Sequence, residues 1–273
     1  MEYNPPVDRL LTYGSAIGRP EWPNYLALGV SAEHVLELIR MALDDALHVS
    51  DRGTEMWAPV HAMRALGQLR AAAAVEPLSA LLRRIDELED EWVGEQLPVV
   101  YGMIGEAAIP VMSAYLADNT HGLWARTAAA QSLEEIARQQ PETRETCVAA
   151  LSRQLERFVE NNAGLNASIV ANLVELRAVE SVKVIEQAFA FDRVDMMVVG
   201  DWEDVQVKLG LKAGRDIPYI PPEWDQLLAE TAPKLAATSP PLRWGTAPVS
   251  KDKEKARAKR KQAKQSRRKN RKR

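Results

Sequence analysis

The chain has 273 residues, 46% of them hydrophobic, so it can bury a sizeable core in one or two domains. Its formal net charge of −3 hides a division. Residues 251–273 hold 14 basic and 2 acidic residues, and residues 1–250 hold the other 21 basic and 36 acidic ones. The charges of +12 and −15 exclude an evenly charged surface and are typical of a protein that binds partners.

Cys147 is the only cysteine, which excludes an intrachain disulfide and a cysteine-based zinc site and suits a reducing cytosol. The N-terminus has no basic stretch followed by an apolar run, so we expect no secretory signal and a cytoplasmic protein. Residues 97–117 contain one charged residue, Glu106, and have the length of a membrane span. Because Gly105 and Pro110 interrupt this stretch, we expect a buried helix pair instead.

Residues 1–30 are rich in Pro, Tyr and Gly, and we expect an irregular N-terminal cap with one short helix in VDRLLTYG. Trp22 and Tyr25 should pack inward. Ser31 is a plausible N-cap for the helix AEHVLELIRMALDDAL, whose apolar residues recur with helical spacing.

The stretch from Trp57 to Asp118 contains two copies of one two-helix unit. Trp57 and Trp92 open the copies, and Pro77 and Pro110 fall early in the second helix of each, where a missing N–H costs little. A third copy begins at Trp124. A fourth begins without a tryptophan at residues 165–166, as diverged terminal repeats do.

We therefore predict an all-α fold, an α-α superhelix spanning residues 31–211 and closed by the helix DWEDVQVKLGL with Asp201 as its N-cap. Residues 212–250 should form a Pro-rich linker or extension, helical only over residues 223–235. Residues 251–273 should be disordered.

The pattern Trp-x-Arg-x-x-Ala-Ala at 124–130 and Ala-Ile-Pro-Val at 108–111 resemble the opening of HEAT-like repeats of the phycobilisome-lyase type. Residues 24–211 further resemble a family of uncharacterised bacterial HEAT-repeat proteins, through phrases such as WAPVHAMRALGQLRAAAAVEPL and GDWEDVQVKLGL. The resemblance implies a HEAT-like solenoid without a settled activity. Some relatives end in a cysteine-rich zinc knuckle, where this chain carries a basic tail.

Catalytic and metal-binding motifs are largely absent from the sequence. His34, His48, His61 and His121 have no zinc-protease spacing, and Glu33-His34 is the reverse of the repeated His-Glu pairs of HEAT-repeat di-iron hydroxylases. We predict no catalytic, cofactor-binding or metal-binding residue. We expect His61 to be a hydrogen-bonded structural imidazole, His121 a turn residue and Cys147 a small buried side chain.

The acidic pairs Asp44-Asp45 and Glu134-Glu135 and the run from Asp86 to Glu91 are predicted to be solvated. Trp57, Trp92 and Trp124 should each fill the same gap between repeats. Alternatively they form an aromatic row, in which Trp124 and Arg126 resemble the aromatic and basic pairs of HEAT-repeat DNA glycosylases. The −15 body argues against that alternative, because duplex binding needs many phosphate contacts.

The tail contains no aromatic residue, so its contact with a polyanion should be electrostatic and salt-sensitive rather than base-specific. Candidate targets are RNA or the ribosome, DNA, an acidic protein face including its own body, and, least favoured, an anionic membrane surface. The alternative hypothesis is that the tail keeps the protein soluble and has no specific target. The residues expected to bind the polyanion are Lys255, Arg257, Lys259, Arg260, Lys261, Lys264, Arg267, Arg268, Lys269, Arg271, Lys272 and Arg273.

The hypothesis that these features favour is a non-enzymatic scaffold, in which the acidic body binds a protein and the basic tail binds nucleic acid or another polyanion. The alternative implied by the resemblance is a bilin lyase or isomerase acting on a chromophore–protein conjugate, which rests on fold analogy. A glycosylase-type nucleic-acid enzyme is a third hypothesis.

Overall fold

The structure is a computed structural model that describes residues 2–16, 21–49 and 53–216. These residues belong to one compact unit, Met1–Ile217, and contain helices and no strand, which confirms the all-α prediction. The predicted helix at 223–235 and the basic tail lie outside the described residues, as does most of the predicted linker.

In the described residues the α-helices are α1 Val35–Ala42, α2 Asp45–His48, α3 Ala58–Gln68, α4 Val75–Ser79, α5 Arg83–Leu88, α6 Glu91–Ile104, α7 Ile109–Ala117, α8 Leu123–Gln139, α9 Arg144–Leu155, α10 Ala163–Glu175, α11 Val182–Ala190, α12 Met196–Val199 and α13 Trp202–Lys208.

The helices stack as successive pairs. One layer runs α1, α3, α6, α8, α10 and α12, each helix packing on the next, and a second layer runs α4, α7, α9 and α11. A short 3₁₀ turn precedes each second-layer helix, at Ala72–Ala74, Glu106–Ala108, Pro141–Thr143 and Val179–Ser181. This recurring turn is the structural counterpart of the repeat in the sequence.

The helix predicted after Ser31 is broken at Asp44. Ser31 caps a 3₁₀ turn together with His34, and α1 ends at Ala42. The Asp44 carboxylate is buried, accepting the hydroxyl of Tyr3 at 2.7 Å and the backbone N–H of Ala46 at 3.0 Å. The prediction of a solvated Asp44 is wrong, because this side chain starts α2 and holds the N-terminal segment.

The second helix of the first repeat copy, predicted with Pro77 near its start, is also split in two, into α4 and α5. Leu81 and Leu82 donate their N–H groups to carbonyls three residues back, at 3.0 and 3.1 Å, so the chain leaves α-helical geometry between α4 and α5.

The irregular N-terminal segment packs across α3. The hydroxyl of Tyr25 lies 2.7 Å from Nδ1 of the fully buried His61, whose Nε2 donates to the Gly14 carbonyl at 3.0 Å. The guanidinium of Arg64 lies over the Trp22 ring at 4.8 Å. The predictions for Trp22, Tyr25 and His61 are therefore confirmed.

Gly105 makes the corner between α6 and α7 with a φ of +88°, which favours glycine. A Cβ there would also collide with the side chain of Gln140. No single helix of the described part is long and apolar enough to cross a membrane. Glu91–Ile104 and Glu106–Ala117 meet that test only together, and they are bent by 120°.

The closing helix α13 begins as predicted. Asp201 caps it in a reciprocal capping box with Asp204, and Trp202 packs against Phe189 with ring centroids 5.8 Å apart. Residues 212–216 follow α13 and pair with it, since Arg215 contacts Asp201 at 2.8 Å.

Buried arginines join the ends of helices. Arg126 donates from Nε to the carbonyl of Leu116 at 2.9 Å and from Nη2 to Oδ1 of Asn161 at 3.4 Å. Asn161 in turn donates to Oδ1 of Asn166 at 2.9 Å, and Asn166 donates to the carbonyl of Arg193 at 2.7 Å. This chain of bonds ties α7, α8 and α10 together.

We expect Arg126→Ala to lower the free energy of unfolding by about 2–4 kcal/mol, because it leaves the buried carbonyl of Leu116 without its side-chain donor and removes one of the two donors to Oδ1 of Asn161, which keeps Nε2 of Gln154. The exposed Arg153→Ala is the matched control and should change stability by less than about 0.5 kcal/mol. Urea denaturation of both variants measures the difference. Equal losses in the two would contradict a structural role for Arg126.

Candidate functional site

Helix α8 lies at the centre of the stack and exposes only a narrow stripe. It packs against α6, α7, α9 and α10. The side chains of Trp124, Gln131 and Arg138 are exposed at intervals of seven residues, with Thr127 and Glu134 between them on the same side.

The neighbouring stripe of α10 carries Ser168, Asn172 and Glu175, which are partly or fully exposed. The two stripes adjoin, because the charge of Glu175 acts on the carboxyl of Glu134. We call this surface the open face, and its residues are Trp124, Thr127, Gln131, Glu134, Arg138, Ser168, Asn172 and Glu175.

Small residues bring α6 and α8 close together beside the open face. Ala125, Ala129 and Ala130 of α8 are fully buried. A Cβ at Gly102 of α6 would lie 3.1 Å from Cβ of Glu135 and closer still to the side chain of Gln139, so a larger residue would require both to shift. This close approach buries side chains of α8, such as Glu135, that the sequence predicts to be solvated.

Glu134 and Glu135 are both buried, so the prediction of a solvated pair is wrong. Arg138 contacts both carboxylates, with Nε 3.6 Å from Glu134. Burial raises the pKa of Glu134 to about 7, and the nearby charges of Glu135 and Glu175 add to the effect. A carboxyl with this pKa exchanges protons near neutral pH.

Two polar atoms beneath the open face have no hydrogen-bond partner in the described residues. They are Oγ1 of Thr127 on α8 and Nδ2 of Asn172 on α10, and both are buried. Unsatisfied buried groups reduce stability, so their presence on one surface favours a role other than holding the fold.

The tryptophans do not share one role. Trp57 and Trp92 pack edge to face with centroids 5.2 Å apart, as fillers between repeats. Trp124 instead is 61% exposed, so the prediction that it fills the same gap is wrong. Asp86 of α5 caps α8 next to Trp124, because its carboxylate accepts the backbone N–H groups of Trp124 and Ala125 at 3.0 and 2.8 Å. The predicted solvated role of Asp86 is wrong as well.

A family model described as "Protein of unknown function (DUF1186)" matches residues 34–220. The chain belongs to the DUF1186 family. No curated protein and no solved structure matches the chain. The match covers the helical body and stops before the basic tail. The matched family is neither a HEAT-repeat nor a lyase family by its description, so both of those resemblances stay predictions.

The other predicted residues of this DUF1186 protein lie apart from the open face. Cys147 is buried as predicted, and burial raises the pKa of its thiol. His121 stacks on Tyr115 with centroids 3.7 Å apart. Arg126 is buried under α8, so it forms no surface pair with Trp124. In the described ranges no group of three or more His, Cys, Asp or Glu side chains has the geometry to hold a metal ion. The predicted polyanion-binding residues of the tail lie beyond the described residues.

Sequence reasoning missed the open face as a surface. The seven-residue spacing of Trp124, Gln131 and Arg138 is the signal that was available for it.

We expect Glu134→Gln to change how the stability of this DUF1186 protein depends on pH. The pKa of Glu134 in the folded protein is about 7, above its ordinary value of 4.5, so the folded state holds the proton more tightly than the unfolded state. Stability therefore falls as the pH rises between these values. Glu134→Gln should be more stable than the wild type by about 1–3 kcal/mol at pH 8, with the difference shrinking towards pH 5.

Thermal or urea unfolding at several pH values measures this difference. The exposed Glu95→Gln is the control and should follow the wild-type profile. A Glu134→Gln profile parallel to that of the wild type would show that this carboxyl does not titrate in the window.

Proposed function

We propose that this DUF1186 protein is a non-enzymatic scaffold in the cytoplasm, whose acidic body binds a protein partner and whose basic tail binds nucleic acid or another polyanion. The observation that carries the proposal is the charge division, −15 in residues 1–250 against +12 in residues 251–273. Oppositely charged parts of one chain attract different partners.

Hydrogen bonds from arginine side chains to backbone carbonyls within the body support this proposal. Two of the arginines that donate to backbone carbonyls, Arg64 and Arg126, are buried and add almost no positive charge to the surface. Seven arginines of the described residues make such bonds to other segments. They are Arg9, Arg40, Arg64, Arg126, Arg144, Arg157 and Arg193.

The open face is the proposed contact for the protein partner. Exposed tryptophans contribute strongly to binding when a partner covers them. Trp124 lies on the same stripe as Gln131, whose exposed side chain offers an amide for hydrogen bonds. A partner that covers this face gains apolar area and polar contacts together.

We further propose that the body is a HEAT-like solenoid, as the sequence resemblance implies. The support is the stacking of successive helix pairs, each with a 3₁₀ turn before its second helix. Such stacked repeats commonly bind partners on an extended surface.

We expect Trp124→Ala to lose the protein partner. Affinity capture from native lysate, with mass spectrometry, should identify a protein bound by the wild type and by Phe191→Ala but lost from Trp124→Ala. Phe191 is the matched control because it is a similarly exposed aromatic residue, at 65%. Equal capture by all three proteins would contradict the role of the open face.

We expect deletion of residues 251–273 to abolish retention on immobilised RNA and DNA. In the full chain that retention should weaken steeply with rising salt, because Lys and Arg displace counterions from phosphates. A chain with the basic residues of the tail changed to Gln separates charge from length. Retention that is unchanged by the deletion and independent of salt would contradict the role of the tail.

A further inference from the structure

A groove of about 460 Å³ lies between α9 and α11, in the second layer of helices and apart from the open face. Its apolar lining, which we call the floor, consists of the buried Val148, the partly buried Val184 and the exposed Ala149. Its rims are polar and contain Glu145, Ser152, Glu156, Glu180, Ser181, Lys183 and Gln187.

Internal bonds already engage part of the rim. The hydroxyls of Ser152 and Ser181 are 2.7 Å apart, and Glu180 accepts from Nη1 of Arg144 at 2.8 Å. In contrast, the side chains of Glu145 and Glu156 make no hydrogen bond or ion pair among the described residues, and both residues are exposed. These two carboxylates are therefore available to an occupant.

The distance between the carboxylates of Glu145 and Glu156 determines which partner segment can contact both of them. Glu145 lies at the start of α9 and Glu156 is the C-cap residue directly after it, eleven residues on, which places them about 16 Å apart along the helix axis. Val148 and Ala149 lie between them on the floor. Lys183 is the one cation among the lining residues, against three glutamates, so the groove stays negative.

We propose that this groove binds a basic amphipathic segment of a partner protein, with an apolar middle and two Lys or Arg side chains about 16 Å apart, the spacing of positions i and i+11 in a helix. The cations meet Glu145 and Glu156, and the apolar middle covers Val148 and Val184. This surface goes beyond the proposed function, because it is separate from the open face and names the chemistry of its occupant.

The test uses the full chain and a fluorescein-labelled helical peptide of Leu and Ala with two Lys eleven positions apart, followed by fluorescence anisotropy at low salt. The double variant Glu145→Gln/Glu156→Gln should weaken binding about three- to tenfold, since each exposed ion pair contributes modestly. The matched control, Glu95→Gln/Glu186→Gln, removes the same charge from exposed positions outside the groove and should bind like the wild type.

A second variant tests shape rather than charge. Ala149→Trp fills the floor of the groove and keeps both carboxylates, and it should abolish peptide binding while circular dichroism shows an unchanged helical fold. The same peptide with Glu in place of Lys should not bind.

Equal weakening in the two double variants, or wild-type binding by Ala149→Trp, would overturn the proposal, because either result means non-specific attraction to an acidic body. Trp124→Ala should bind the peptide normally. Loss of the peptide in that variant would place its site on the open face and refute the groove, whereas failure of the partner capture alone leaves the groove unaffected.

Discussion

The close packing of α6 against α8 is the constraint on which the described structure depends. Gly102 and the buried alanines of α8 allow the two helices to approach, and α8 also contacts α5, α7, α9 and α10. This central position leaves α8 a single exposed stripe and buries the carboxylates of Glu134 and Glu135. The candidate surface and its perturbed carboxyl are therefore both consequences of small residues that carry no chemistry themselves.

Arginine has a structural role that the amino-acid composition does not reveal. In a stack of short helices, many helix ends leave carbonyls without a partner in their own helix. Arg126, Arg144 and Arg193 satisfy such carbonyls from neighbouring elements. Because a buried guanidinium offers several donors in fixed directions, one side chain can join two or three segments.

The sequence predicted the helix pairs, their opening residues and the inward packing of Tyr25, His61 and Cys147, because hydrophobic spacing and turn residues are local signals. The predictions from the sequence were wrong for several acidic residues. Asp44, Asp86 and Glu134 were predicted to be solvated because charged residues usually are. Asp44 caps α2 next to it and is covered by Tyr3 of the N-terminal segment. Asp86 caps the distant α8, and Glu134 is covered by the approach of a neighbouring helix. None of these environments is encoded within the nearby sequence.

The sequence by itself therefore determined the helical class, the repeat and the division of charge, since each depends on residue type and spacing along the chain. Only the tertiary structure decided that Trp124 is exposed while Trp57 and Trp92 contact each other, although the three occupy equivalent positions in the repeat. The same holds for the groove between α9 and α11, whose lining comes from segments about 30 residues apart in the chain. Exposure and concavity depend on which helices become neighbours, and that is decided by packing across the whole stack.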